Sequence, residues 1–145
     1  MTINSRQKGA GGEREVIKLL RPLIERIYHQ CDQQPPELER NTLQWHKGGC
    51  DILGVPGIAL EIKRCETLEI DKWWAQACEQ AERVGGGTLP VLMYRKNRQP
   101  WRVRMLGLIT IIDGFNYACP VTIELPSFME WLEHYLMGQL NWPPR

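Results

Sequence analysis

Three acids and a lysine occupy positions where an apolar sheet has little use for charge. Asp51 follows Gly48-Gly49-Cys50 and opens an apolar stretch, while Glu61 and Lys63 lie inside IALEIKR, a run that otherwise reads as buried strand. The spacing is D-x9-E-x-K. Two carboxylates brought together repel unless one is protonated or a cation bridges them. Carboxylate oxygens without histidines or thiolates suit Mg²⁺, with Mn²⁺ able to substitute, better than they suit zinc. A lysine two residues from a metal-binding glutamate can orient an attacking water and stabilise charge growing on a phosphate. The types and spacing therefore point to metal-assisted hydrolysis of a phosphate ester.

That chemistry needs elements to hold it. Side chains alternate along a strand, so Glu61 and Lys63 face one way and Leu60 and Ile62 the other. A hairpin is expected from Leu43–His46 leading into Asp51–Val55, turning at Val55-Pro56-Gly57 and returning as Ile58–Lys63. In this hairpin Asp51 reaches the end that carries Glu61 and Lys63. A third carboxylate comes from a helix over Glu13–Tyr28, where Val16, Ile17, Leu20, Ile24 and Ile27 form an apolar stripe. At about 100° per residue Glu13 falls at the edge of this stripe, and its place at the helix start favours the ionised form. Glu15 falls about 200° away, on the side expected to be solvated. Pro22 should weaken or kink the helix.

Beyond these elements, CDQQPPELERN reads as loop. Asp71 is a plausible N-cap for a helix to about Val84, stopped by Gly85-Gly86-Gly87. Strands are expected at Leu89–Tyr94 and Trp101–Met105, with further short ones at Leu108–Ile112 and Val121–Leu125. Ser127 and Glu130 form a capping-box pattern opening a last amphipathic helix, Phe128–Met137. The order implies an α/β (α+β) fold, a small mixed β-sheet flanked by helices. Residues 1–12, polar and Gly-rich, read as a flexible basic arm; 13–105 form the core; 106–145 extend the same domain and are a possible dimerisation element.

The 145 residues fit one domain with a hydrophobic core. No apolar stretch approaches the ~20 residues of a membrane span, and the N-terminus lacks a signal-peptide core. Five cysteines form no CxxC pair, which fits free thiols in a reducing cytoplasm. No Ser/His/Asp set, Walker loop or dinucleotide fingerprint is present. Net charge is only +1, but residues 1–104 carry a balance of +4 and residues 105–145 one of −3, which permits a nucleic-acid face on the first part. Arg95, Lys96, Arg98, Arg102 and Arg104 lie within ten residues without an acid and could track a phosphate backbone, aided by Trp101 or Tyr94. Arg6, Lys8 and Arg14 could fold onto DNA from the arm. Gln76 and Gln80 share a face of the second helix, within reach of DNA or a catalytic water.

The set resembles the PD-(D/E)XK nuclease superfamily: a helical Glu, then D-(x)n-E-x-K on a hairpin. Within it, Lys8-Gly9-Ala10-Gly11-Gly12-Glu13-Arg14-Glu15 running into an apolar helix is most similar to the opening of the archaeal-type Holliday junction resolvases. The resemblance covers roughly residues 6 to 105. It implies a restriction-endonuclease-like core in which Glu13, Asp51 and Glu61 hold a Mg²⁺ ion and Lys63 serves the hydrolytic water. The implied activity is endonucleolytic cleavage of DNA, of four-way junctions above all, by a homodimer, since one site per chain must cut two strands. Cys50 stands where the motif name has proline, and the loop Trp45–Gly49 lacks the serine usual in those resolvases. There His46 or Lys47 would meet phosphate instead.

Overall fold

The computed structural model describes residues 5–43, 50–110 and 114–141, with side chains from residue 7 onward. Helix α1 spans Ser5–Gln30; two short strands follow, β1 at Glu39–Arg40 and β2 at Ile52–Leu53. Strand β3 is Ile58–Arg64, helix α2 Ile70–Val84 and strand β4 Leu89–Arg95. Strands β5 (Arg102–Thr110) and β6 (Asn116–Glu124) form a long ribbon before helix α3, Leu125–Gln139. The six strands lie in chain order in one sheet; β3 and β4 run parallel, joined through α2, and every other pair is antiparallel. A mixed sheet with helices is the α+β architecture expected of a restriction-endonuclease-like core.

The period-two pattern of β3 decides the layers. Ile58, Leu60 and Ile62 join Val16, Leu20, Ile24 and Ile27 of α1 and Phe128, Leu132 and Leu136 of α3 in the main core. On the opposite face, Leu92 and Tyr94 of β4 pack under Trp73 and Ala77 of α2. Trp73 is thus core, its ring 6.4 Å from that of Tyr94, and Trp101 is buried as well. None of the three is free to stack on a base. Helix α3 is tied to α1 through Arg26 and Glu133 at 3.0 Å and spends its apolar face inside the domain.

Several boundaries differ from expectation. Residues 5–12 are not an arm but the first turns of α1. The glycines that argued against helix permit close packing: a Cβ on Gly12 would lie 3.4–3.6 Å from Arg64, Ile62 and Trp101. Tertiary contact overrides the low helix propensity of glycine. Pro22 stays inside a continuous helix on its exposed side. Neither anticipated cap is used: α2 begins after Glu69, before Asp71, and α3 after Glu124 with Pro126 in its first turn, leaving Ser127 inside. The first strand shrinks to Ile52–Leu53, with Thr42 and Leu43 in a turn, while residues 44–49, including His46 and Lys47, lie outside the described residues. The β2–β3 turn needs its glycine: Gly57 has φ +66°, and a Cβ there would sit 2.3 Å from the Tyr135 hydroxyl.

Candidate active site

The site forms where the sheet splits. Strand β2 pairs with β3 only at Ile52 and Leu60, with one further backbone bond from Asp51 N–H to the Leu60 carbonyl at 2.8 Å. Two residues further along β3, the N–H of Ile62 donates to the Asp51 side chain, Oδ2, at 2.6 Å. A carboxylate here takes the place of a strand, so Asp51 is fixed at the fork and buried at 7% exposure. Beyond the fork, side chains from both layers reach one cleft, lined by Gly9, Glu13, Asp51, Glu61, Ile62, Lys63, Arg64, Cys65 and Gln76. The four residues expected to do chemistry are all present.

Their electrostatics are those of a charge cluster held out of water. Glu61 is 1% exposed, and its Oε1 receives Lys63 Nζ at 2.7 Å while Oε2 has no hydrogen-bond partner. Burial first, then repulsion from Asp51, raises the Glu61 pKa; Lys63 and the amide of Gln80 pull it back. The Glu13 pKa is also raised by burial, with Asp51 adding to the rise and Arg40 opposing it. Asp51 is therefore the central member, coupled to one acid from each side.

Sequence reasoning missed Arg40, whose Nε donates to Glu13 Oε2 from the two-residue strand β1. A strand this short inside a Pro-rich loop leaves no periodic signal. Gln80, buried at 8%, was paired with Gln76 by the helical spacing but not singled out; one turn separates them, and only Gln76 is exposed on the cleft.

The donor set suits a hard divalent cation in part. Asp51 and Glu61 offer all-oxygen ligation, and the orphaned Oε2 of a buried carboxylate is an atom in want of a cation. Yet among the described residues no three acidic, histidine or cysteine side chains are gathered closely enough to enclose one ion. Glu13 is engaged by Arg40 and stands as the outer member of the set.

The other expected contacts divide. Lys8 borders a second groove continuous with the cleft, and Arg14, Lys96 and Arg98 are exposed. Arg6 belongs to α1, its side chain outside the described residues. Arg95 does not project to solvent: it is 13% exposed and bound to Glu15. Arg102 pairs with Glu124 at 3.3 Å, and Arg104 lies 3.8 Å from Asp71 and over the Trp74 ring. The basic run is therefore not one phosphate-tracking stripe. Glu15 itself, expected to be solvated, accepts from two arginines.

Against this geometry, a family model described as "Phage putative PDDEXK endonuclease" matches residues 4–125. The chain belongs to that PDDEXK endonuclease family. The match runs from the start of α1 through β6 and contains the whole cleft. No curated protein and no solved structure matches the chain. Among the described residues, no helix is long and apolar enough to cross a membrane.

Proposed function

We propose that this PDDEXK family member is a Mg²⁺-dependent endodeoxyribonuclease whose preferred substrate is branched DNA, a four-way junction above all. The observation that carries the reading is the Asp51–Glu61–Lys63 group lining the cleft at the fork of the sheet, with one oxygen of Glu61 buried and without a hydrogen-bond partner. Asp51 and Glu61 would hold the ion, with Glu13 completing the set on release from Arg40. Mg²⁺ when bound supplies charge neutralisation and polarises a phosphate oxygen. The chain's own groups do the rest. Lys63, held by Glu61, places an ammonium beside the scissile phosphate, where it orients the attacking water and offsets charge in the transition state. The Ile62 N–H keeps the Asp51 carboxylate in a single orientation. A catalytically silent binding module is disfavoured, because the backbone and ion-pair contacts of these four charges do not by themselves call for gathering three acids and a lysine in one cleft.

Junction resolution further requires two sites, hence a two-fold dimer. The outer β5–β6 ribbon offers the surface. Leu106, Leu108, Ile109, Phe115 and Tyr117 are 47–74% exposed, and residues 105–119 carry a single charge. Pro120, without an N–H, sits in edge strand β6, which favours pairing through the faces of the ribbon over strand addition.

The test offers a labelled four-way junction, a linear duplex and single strands with Mg²⁺ to the wild-type chain, Glu61→Ala and Lys63→Ala. Symmetric nicks in the junction, lost in both variants, are the expected result. The phage family match supports one alternative, a nicking or structure-selective nuclease of phage DNA recombination or repair. Equal cutting of linear DNA would favour it.

A further inference from the structure

Two arginines end adjacent parallel strands as register partners, Arg64 on β3 and Arg95 on β4. Sharing a register, they point to the same face and meet Glu15 of α1. Arg95 Nη2 donates to both Glu15 oxygens at 2.9 and 2.8 Å, and Arg64 Nη1 donates to Oε1 at 2.8 Å. Arg64 Nε is held in turn by Asn97 Oδ1 at 3.1 Å, and the Arg95 guanidinium lies 5.3 Å from the centre of the Trp101 ring. Arg95 Nε is buried without a partner. One carboxylate against two guanidiniums leaves a fixed surplus of positive charge.

Stability accounts for only part of it. Glu15 and Arg64 are 35% and 27% exposed, the range in which a single ion pair contributes little, while Arg95 at 13% is better sheltered. Location points further. Arg64 lines the active-site cleft and also the adjoining groove, which it shares with Lys8, Lys63, Cys65, Thr67 and Trp73. Glu66 and Glu69 also line that groove, but the charged residues it has in common with the cleft, Lys63 and Arg64, are both basic. On the far side, Arg95 opens onto a hollow shared with Lys96 and Arg102. A guanidinium fork already fixed in position is suited to a phosphodiester oxygen pair, where a mobile lysine offers only a point charge.

We infer that Glu15, anchored by Arg95, holds Arg64 as one jaw of a preassembled clamp, with Lys8 as the other, which seats the DNA backbone phosphate next to the one being cut. The inference rests on the nuclease reading for the identity of the ligand. It goes beyond that reading in giving Glu15, an acid, a role that strengthens binding to a polyanion.

That sign is the test. Fluorescence anisotropy with a labelled DNA junction in Ca²⁺, across a salt series, is run on the full chain and its Arg64→Ala, Arg64→Lys and Glu15→Gln variants, with melting temperature measured in parallel. Arg64→Ala should bind ~10-fold more weakly, with a salt slope shallower by about one. Arg64→Lys should keep the slope and recover only part of the affinity. Glu15→Gln removes a negative charge, yet should bind several-fold more weakly at an unchanged slope. Tighter binding by Glu15→Gln, or wild-type affinity and slope in Arg64→Ala, would overturn the clamp while leaving Mg²⁺-dependent cleavage by the wild-type chain intact. Binding with these sensitivities but no cleavage would instead support the clamp and remove the nuclease reading. A wild-type chain that does not bind DNA overturns both.

Discussion

The two sides of the sheet break opposite rules. At the β2–β3 fork, Asp51 and Glu61 are charged and buried at 7% and 1% exposure. At the β5–β6 ribbon, Leu108, Phe115 and Tyr117 are apolar and exposed at 73%, 74% and 60%. Burying carboxylates is costly even when, as here, they find partners, and exposed apolar side chains on the faces of a ribbon invite association. Between them, Leu60, Val91 and Val103 are buried and apolar as a sheet interior requires. Both departures lie outside this ordinary core. Under the proposed function, that contrast separates the residues that make the fold from those that spend its stability on chemistry and contact.

The largest effects should come from the charged end. Asp51→Asn and Lys63→Ala should each lower DNA cleavage by ~10³-fold or more with little loss of folded protein, measured as initial rates beside circular dichroism. In contrast, Leu132→Ala in the main core should cost about 2–5 kcal/mol in denaturant unfolding. If Asp51→Asn proved as destabilising as Leu132→Ala, the distinction between a chemical end and a structural core would fail.

A pH titration sharpens the same contrast. Glu61 and Glu13 have pKa values raised above 4.5 by burial, so the folded state holds their protons more tightly than the unfolded chain does. Their contribution favours folding at low pH and is lost as pH rises from about 4.5 through the raised values. Without divalent cations, Glu61→Gln should therefore melt higher than wild type at pH 7–8, and the two should converge toward pH 4. Adding Mn²⁺ should raise the wild-type melting temperature, by the equivalent of ~2.7 kcal/mol at a hundredfold excess over Kd, and should leave Glu61→Gln unmoved.

The apolar end makes a separate prediction. If the proposed dimer forms through the ribbon, the wild-type chain should run as a dimer in light scattering, and replacing Leu108 and Tyr117 by lysine should give a monomer with melting temperature changed by little. Smallest of all, Arg26→Ala removes an exposed pair between α1 and α3 and should cost under ~1 kcal/mol. A larger loss there would mean that α3 is held by more than its buried Phe128, Leu132 and Leu136.

What could be read in advance was local periodicity. Alternation along β3 placed Glu61 and Lys63 together, and the helical stripe placed Glu13 rather than Glu15 toward the acids. The same rule misjudged Glu15, because a helical wheel describes the core and not the reach of long side chains; Arg64 and Arg95 extend from two strands to meet it. Arg40 was hidden for another reason, a strand of two residues having no period. The early start of α1 was obscured by glycines whose use, close approach to Ile62 and Arg64, exists only in the folded chain. Asp71 and Ser127 had good capping chemistry, but Glu69 and Glu124 precede helices whose positions are set by packing on the sheet.

The central claim is that the fork of the sheet is a divalent-ion site that hydrolyses DNA. Parallel time courses of labelled DNA with wild type and Glu61→Gln, each in Mg²⁺ and in EDTA, address it directly. Products should form only with wild type and only in Mg²⁺. Cleavage in EDTA, or undiminished cleavage by Glu61→Gln, would contradict it.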